Sequence, residues 1–276
     1  MESGAYRTEG SGLSGLWFTW LAAMATGGFL IGKRLGRDDR RAMLTLLVAF
    51  LLMAVWSWLV HHPAVMVQVL PLWMLSHIEG VGAVPIFMVV TGVAWSKATT
   101  PNHKRLTILA VFFGCIFFLQ GSLWMLQPSA ASAMNARTGG TYVKQSQEYS
   151  CVPAACATVL QHYGIRTSEA EMAKLTETRP GSGSTLIRAM SGLNDRLAGT
   201  SYHVALVEPT VDELSRLPLP ALTPLKLDAD RLHMVVIKSA DARWIWTIDP
   251  MVGPVCYSRQ EFDAVFLRRV ICVVRN

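Results

Sequence analysis

The sequence predicts two different parts, an N-terminal α-helical membrane domain of four transmembrane helices and a C-terminal α+β domain. The 276 residues are 51% apolar and only 16% charged, with a mean hydropathy of +0.33, which excludes disorder, collagen and a small disulfide-rich scaffold. The apolar excess lies almost entirely before residue 127, and patterns typical of a soluble domain follow it. We expect the membrane domain at 1–127, a linker at 128–140 and the second domain at 141–276.

Four apolar stretches in the first part are each near the roughly 20 residues that a helix needs to cross about 30 Å of hydrocarbon. They are Leu13–Ile31, Ala42–Val60, about Gly80–Ser96 and Leu106–Leu126. The intervening stretch Ala64–Glu79 contains a proline and several polar side chains. We therefore expect an interfacial or re-entrant connection there rather than a fifth span.

The net charge of +6 comes from two loops rather than from a basic stripe. The loops at 33–41 and 97–105 each carry +3 and together contain eight Lys and Arg residues, whereas 61–79 contains none. Because cytoplasmic loops are enriched in Lys and Arg, we expect both basic loops in the cytoplasm and both termini outside. The sequence thus predicts a multi-pass protein of the bacterial inner membrane, with the lipid bilayer as a partner and no nucleic-acid partner.

Ionisable residues are scarce within the apolar stretches, which disfavours a transport pathway. His61, His62, His77 and Glu79 lie near predicted helix ends, but they lack the paired ligand spacing of a dedicated metal site. We expect these helices to anchor the protein or to contact a membrane-protein partner. Neither a metal nor an organic cofactor is predicted.

The second part shows helix signals followed by strand signals. Residues Cys151–Tyr163 predict a buried helix that Gly164 ends, and another helix is expected near Thr185. Capping boxes predict three further helix starts, at Ser168 with Glu171, Thr210 with Glu213, and Ser258 with Glu261. Strands are predicted at Tyr202–Glu208, Ala221–Leu227, His233–Ser239, Arg243–Ile248 and Arg268–Arg275. This order favours a mostly antiparallel sheet packed on a helical layer.

Five cysteines are present and none forms a CxxC pair, which disfavours a structural zinc site. Cys256 and Cys272 could form a disulfide outside the cytoplasm, but we expect two buried thiols on neighbouring strands instead, with Cys156 in the core. Cys151 is the candidate nucleophile, because the unpaired backbone N–H groups and the dipole at the start of a buried helix favour a thiolate.

A nucleophilic thiol needs a base and a group that orients the base. His162 lies at the far end of the same helix and is too distant, whereas His203 lies in an alternating strand and remains open as a base. His233 begins an apolar strand, and Asp249 ends the next one. A hairpin centred on Asp241 with a three-residue loop would make His233 and Asp249 direct neighbours on one sheet face.

Two groups of residues carry a family resemblance. The run Gln145–Ala155 (QSQEYSCVPAA), followed by His162-Tyr-Gly164, resembles the active-site start of cysteine peptidase family 39, the papain-like double-glycine leader peptidases. The runs HMVVI from His233 and IDP around Asp249 resemble the family's His and Asp strands in order and separation. The resemblance covers about residues 141–276 and implies a papain-like cysteine peptidase domain.

The family pattern implies a role for each of four residues: Cys151 as nucleophile, His233 as base, Asp249 as orienting acid and Gln145 as oxyanion donor. Gln147 is an alternative donor. Val152 stands where the family usually has glycine, which predicts a narrower groove or an altered backbone. The better-known members begin an ATP-driven exporter, whereas this chain places the domain after its spans and contains no GxxxxGK[ST] loop.

These observations predict a membrane-anchored cysteine endopeptidase that acts through a Cys-His-Asp triad and an acyl-enzyme. Its substrates would be peptides, or secreted or membrane proteins, at the extracytoplasmic face. Acyl transfer or amidase chemistry on the same triad is one alternative, because fold and triad do not fix the acceptor. A non-catalytic peptide-binding membrane module is another, although such a module has no need of all four side chains.

Overall fold

The computed structural model describes residues 10–122, 127, 129–137, 140–227 and 231–276. The chain divides into two compact units. The first consists of Met1–Met66 and His77–Leu126, and the second of Val67–Ser76 and Gln127–Asn276. The domain limits that composition gives, 1–127, 128–140 and 141–276, stay predictions.

The described residues before 123 form six helices. Four of these helices overlap the predicted spans, and two short ones occupy the connection predicted as interfacial or re-entrant. The helices are α1 Gly10–Leu35, α2 Asp39–His61, α3 Pro63–Val69, α4 Leu72–Ile78, α5 Val84–Lys97 and α6 Pro101–Ser122. The end of the fourth predicted stretch, residues 123–126, lies outside the described residues.

Within the described residues, only α2 is long and apolar enough to cross a membrane, judged by length and composition. Helix α5 is apolar but has 14 residues, and at about 1.5 Å per residue it is shorter than the hydrocarbon layer. Helices α3 and α4 have seven residues each. The first unit is therefore a helical region with one candidate span, and the four-helix membrane domain is not confirmed.

Glycines set the contact between α1 and α5, a feature absent from the predictions. A side-chain carbon at Gly28 would lie 2.5 Å from the carbonyl oxygen of Pro85. One at Gly32 would lie 2.1 Å from the carbonyl oxygen of Val89. Both distances are too short for any residue with a side chain, so the two backbones pack directly, as in small-residue contacts between membrane helices. Gly32 follows Gly28 in α1, and its contact Val89 follows Pro85 in α5, so the two helices run parallel.

The second unit is an α+β domain, as predicted. Its strands are β1 Tyr202–Val207, β2 Ala221–Lys226, β3 Leu232–Ala240, β4 Trp244–Asp249, β5 Gly253–Ser258 and β6 Val270–Arg275. They form one antiparallel sheet in the order β1-β6-β2-β3-β4-β5. Its helices are α7 Cys151–His162, α8 Glu169–Leu175, α9 Leu186–Leu197 and α10 Arg259–Val265, with 3-10 helices at Ala130–Ala133 and Val211–Arg216.

The three predicted capping boxes are all present, and they begin α8, the 3-10 helix Val211–Arg216 and α10. Strand β5 is missing from the predicted strands, because Gly253 and Pro254 are unusual in a strand. β5 lies at the edge of the sheet, where one side of the strand makes no ladder hydrogen bonds. A proline is tolerated at such an edge.

The described part of the predicted linker packs into the second unit. Ala130, Ala131 and Met134 are buried and form a cluster with Ala173 of α8. The backbone N–H of Ala130 donates to the Thr178 carbonyl at 3.0 Å. Ala130, Ala131 and Met134 of this segment therefore contribute to the core of the domain.

The expectations for Cys256 and Cys272 are wrong. Cys272 is buried on β6, whereas Cys256 is exposed on β5, and both thiols are free. Three strands separate β5 from β6, so the two residues neither form a disulfide nor lie on neighbouring strands. Cys156 is buried in the core, as predicted.

Candidate active site

Cys151 is the first residue of α7, and Ser150 precedes it as the N-terminal cap. Residues 152–160 are all buried, so α7 is held inside the domain. Cys151 itself is partly exposed, and a substrate can therefore reach its thiol. Val152 lies in the regular helix and is buried. The expectation that it narrows the groove stays a prediction.

The structure brings His233 and Asp249 together. His233 lies near the start of β3 and is 4% exposed. Its Nε2 lies 2.8 Å from Oδ1 of Asp249, and the same oxygen accepts the backbone N–H of Met251 at 2.7 Å. Cys151 is also close enough to the imidazole to raise the pKa of His233. The thiol, the imidazole and the carboxylate therefore lie next to one another.

The register of β3 and β4 differs from the predicted one. Val236 pairs with Ile248, which places Asp249 diagonally from His233 rather than directly opposite it. A β-bulge at Lys238 shifts the register by one residue near the hairpin. Without the bulge, the pairing seen next to the hairpin, Ala240 with Ile245, would continue along both strands. His233 and Asp249 would then lie on opposite faces of the sheet. The bulge therefore keeps the two side chains on one face.

Burial and hydrogen bonding act in opposite directions on the pKa of His233. Burial favours the neutral imidazole, but the hydrogen bonds and charges of Asp249 and Cys151 outweigh it and raise the pKa from 6.5 to about 9. Burial also opposes ionisation of Asp249, yet hydrogen bonds from His233 and from the Met251 N–H hold the pKa of that carboxyl below its usual range. Near neutral pH, the site favours an imidazolium beside an ionised carboxylate.

Gln145 lies in the loop before α7 and is largely buried. Its backbone N–H donates to the Pro250 carbonyl at 2.9 Å, which connects the loop to the turn after Asp249. Its Nε2 donates to the Gln147 carbonyl at 2.9 Å, and its Oε1 is buried with no hydrogen-bond partner among the described residues. The side-chain amide of Gln147 donates instead to the Ala133 carbonyl at 3.1 Å. Of the two candidate oxyanion donors, Gln145 is the one connected to the Asp249 turn.

The other candidate histidines lie away from Cys151. His203 is exposed on the edge strand β1, where its Nδ1 lies 2.6 Å from Oδ1 of Asn276. His162 is the last residue of α7. The structure therefore removes both as alternatives to His233.

The histidines of the first unit contact their own surroundings. The Nδ1 atoms of His61 and His62 lie 2.7 and 2.8 Å from carbonyl oxygens of α2, and His77 stacks on Trp17. Within the part of the chain that the structure describes, no group of three or more His, Cys, Asp or Glu could hold a metal ion.

One acidic residue near the site is absent from the predicted set. Glu169 begins α8 and is fully buried, and its carboxylate accepts hydrogen bonds from Ser146 and Ser150 in the loop that leads into Cys151. In the sequence, Glu169 is marked only by its position directly after the helix cap Ser168. Glu171, rather than Glu169, completes the capping box with Ser168.

Comparison with known proteins identifies the family of the second unit. The profile of the peptidase C39 family matches residues 140–276. An uncharacterized protein of Methanothermobacter marburgensis is 38% identical over 136 residues, which are 49% of this chain and 88% of that protein. One of Methanothermobacter thermautotrophicus is 35% identical over 136 residues, which are 48% of this chain and 87% of its own. The chain belongs to the peptidase C39 family through its C-terminal half.

Two solved structures are similar to the same half. One is a double-glycine-motif protease from an AMS/PCAT transporter in complex with the leader peptide, at 17% identity and a TM-score of 0.42, covering 52% of this chain and 95% of that one. The other is the peptidase domain of Streptococcus ComA, a bifunctional ABC transporter, at 19% identity and a TM-score of 0.44, covering 49% and 98%.

We expect Asp249→Asn to lower the pKa of His233 below about 9, because the substitution removes the negative charge that favours the imidazolium while burial still favours the neutral ring. Histidine-selective NMR titration of the full-length protein measures this pKa, and Asp241→Asn in the exposed hairpin turn is the control. Since the folded-state pKa lies above 6.5, protonation of His233 stabilises the wild-type fold fully below that pH, and this contribution disappears as the pH rises through about 9. An unchanged pKa in Asp249→Asn would contradict this assignment.

Proposed function

We propose that this chain is a membrane-anchored cysteine endopeptidase that cleaves peptide or protein substrates at the extracytoplasmic face of a bacterial inner membrane. The observation that carries the proposal is the connected arrangement of Cys151, His233 and Asp249 in a domain of the peptidase C39 family. The partly exposed thiol and the buried imidazole fit a nucleophile that meets substrate and a base that is shielded from water.

The reaction starts when His233 takes the proton of the Cys151 thiol, which gives a thiolate beside an imidazolium, and the raised pKa of His233 favours this transfer. The thiolate sulfur attacks the carbonyl carbon of the scissile peptide and forms a tetrahedral intermediate. His233 donates its proton to the leaving amine, the C–N bond breaks, and a thioester acyl-enzyme remains. The neutral imidazole then takes a proton from water, whose oxygen attacks the thioester. Collapse releases the carboxylic acid and restores the Cys151 thiolate.

Asp249 holds the imidazole by Nε2, which leaves Nδ1 for the thiol, and its charge stabilises the imidazolium. The developing oxyanion needs hydrogen-bond donors as well. We assign this role to the Gln145 side-chain amide and to the backbone N–H groups that begin α7, which have no carbonyl partner within the helix. Because Nε2 of Gln145 donates to the Gln147 carbonyl in the free protein, the amide must turn toward the substrate oxygen when substrate binds.

Three features of the first unit support the anchoring and the orientation. Most side chains of the apolar helix α2 are exposed, and a large exposed apolar surface needs a nonaqueous environment. Lys97 forms an ion pair with Asp39, so the two basic loops lie at the same end of the unit. The parallel α1 and α5 are compatible with two spans that cross in the same direction. We place the basic end in the cytoplasm and the second domain outside.

We expect the full-length protein in nanodiscs to cleave members of a quenched fluorescent peptide library, and Cys151→Ala to abolish cleavage. Asp249→Asn should lower kcat by about 10²-fold or more, because the imidazolium loses its stabilising charge, while Asp241→Asn stays near wild type. Mass spectrometry of the products should show a new peptide C-terminus. Near-wild-type turnover of Asp249→Asn would contradict the role of Asp249 in the triad. An isopeptide or cross-linked product would indicate acyl transfer instead of hydrolysis.

Orientation can be tested with a membrane-impermeant maleimide on intact spheroplasts. The accessible thiols Cys115, Cys151 and Cys256 are first replaced by serine, and Arg37→Cys or Arg137→Cys is then introduced singly. We expect labelling of the Arg137→Cys protein and labelling of the Arg37→Cys protein only after the membrane is permeabilised, because positively charged loops stay in the cytoplasm. The reverse pattern would show that the orientation is inverted.

A further inference from the structure

The loop 145–150 carries the proposed oxyanion donor and leads directly into Cys151, yet it contains no helix or strand. Its conformation depends instead on hydrogen bonds, and two of these go to the carboxylate of Glu169. This side chain is 0% exposed. A buried carboxylate must find within the protein the hydrogen bonds that it would otherwise make with water.

Two segments of the chain donate to this carboxylate. Its Oε1 accepts the backbone N–H of Ser146 at 2.9 Å and the hydroxyl of Ser150 at 2.5 Å. Its Oε2 accepts the backbone N–H of Asn135 at 3.1 Å. Glu169 therefore joins the loop before Cys151 to α8 and to the packed segment 129–137.

Ser150 extends this contact through the loop. Its hydroxyl oxygen lies 2.5 Å from Glu169 and 2.9 Å from the Gln147 carbonyl, and its single proton goes to the carboxylate, which is closer. The same oxygen accepts the backbone N–H of Gln147 at 3.0 Å. Although Ser150 occupies the cap position of α7, its side chain makes no capping hydrogen bond to that helix. Its hydroxyl therefore supports the loop.

Glu169 is not needed to cap α8, because Ser168 and Glu171 already form a reciprocal capping box there. Removing a carboxylate from water costs several kcal/mol before its hydrogen bonds are counted. A well-packed apolar residue of similar size would avoid that cost. A buried acid at this position is therefore better explained by its effect on the conformation of the loop than by a gain in stability.

We propose that Glu169 is a positioning residue of the peptidase. It acts through Ser146 and Ser150 to hold the loop so that the Gln145 amide, once it has turned toward the substrate, and the backbone N–H groups at Cys151 face the same substrate oxygen. It supports oxyanion stabilisation without touching the substrate. The inference rests on the proposed function, because it assigns the loop to that step.

The test compares Glu169→Gln and Ser150→Ala with the matched control Glu171→Gln, all in the full-length protein. Glu169→Gln keeps the size of the side chain, but its NH2 group faces a hydrogen-bond donor where a carboxylate oxygen accepted one. Part of the network is therefore lost. We expect Glu169→Gln to lower kcat at least about tenfold with KM within about twofold, since the lost interaction belongs to the transition state. Ser150→Ala should act in the same direction, and Glu171→Gln should stay within about twofold of wild type.

Three further measurements separate this role from a loss of the fold. The affinity for a peptide aldehyde, whose thiohemiacetal oxygen occupies the oxyanion position, should fall together with kcat. Alkylation of Cys151 by iodoacetamide should keep its rate within about twofold, because the contacts of the thiol with the His–Asp pair are unchanged. Hydrogen exchange should show loss of protection at the amides of Ser146 and Gln147.

Wild-type kcat, or wild-type protection of these two amides, in Glu169→Gln would overturn the inference and leave the proposed function intact. An equal loss of alkylation rate and kcat would make Glu169 a general structural residue and would overturn it as well. If Glu169→Gln does not fold, Ser150→Ala decides the question by the same measurements. A wild-type protein that cleaves no peptide would overturn the proposed function and the inference together.

Discussion

A buried imidazole can carry a positive charge only where hydrogen bonds and an opposite charge replace the water that it has lost. At His233 these come from Asp249 at 2.8 Å and from the Cys151 thiol. The contact requires β3 and β4 to present both side chains on one face, and the single extra residue at Lys238 gives the register in which they share it. The charge of the active site thus depends on the register of two neighbouring strands.

The rest of the domain places the candidate nucleophile Cys151 beside this pair. Helix α7 is buried along its length and exposes Cys151 at its N-terminus. The loop before it is held from two directions, by Glu169 on the side of α8 and by the hydrogen bond from Gln145 to Pro250 on the side of the sheet. Three segments that are distant in sequence therefore meet at one site, and hydrogen bonds to fixed groups set their geometry.

Much of the second unit follows from local sequence signals. Capping boxes and apolar strands predict most of its elements, and Cys151 stands out at the start of a buried helix. The assignment of His233 and Asp249 over His203 comes from the resemblance to a known family. The register, β5 and Glu169 escape prediction for physical reasons. The bulge that sets the register has no signal in the composition, and Pro254 is tolerated in β5 because that strand lies at the sheet edge. The role of the buried Glu169 can be inferred only from its hydrogen-bond partners in the folded structure. In the first unit, apolar composition locates the helices, but only α2 combines length with apolarity.

The central claim is that Cys151 carries the acyl group during peptide hydrolysis. The most direct measurement is to denature the full-length protein in acid during turnover of an activated peptide ester and to map the adduct by mass spectrometry. We expect a single acyl group on Cys151, none on Cys156 or Cys256, and loss of the adduct when the reaction runs to completion before quenching. Product formation without any adduct on Cys151, or an acyl group on another residue, would contradict the claim.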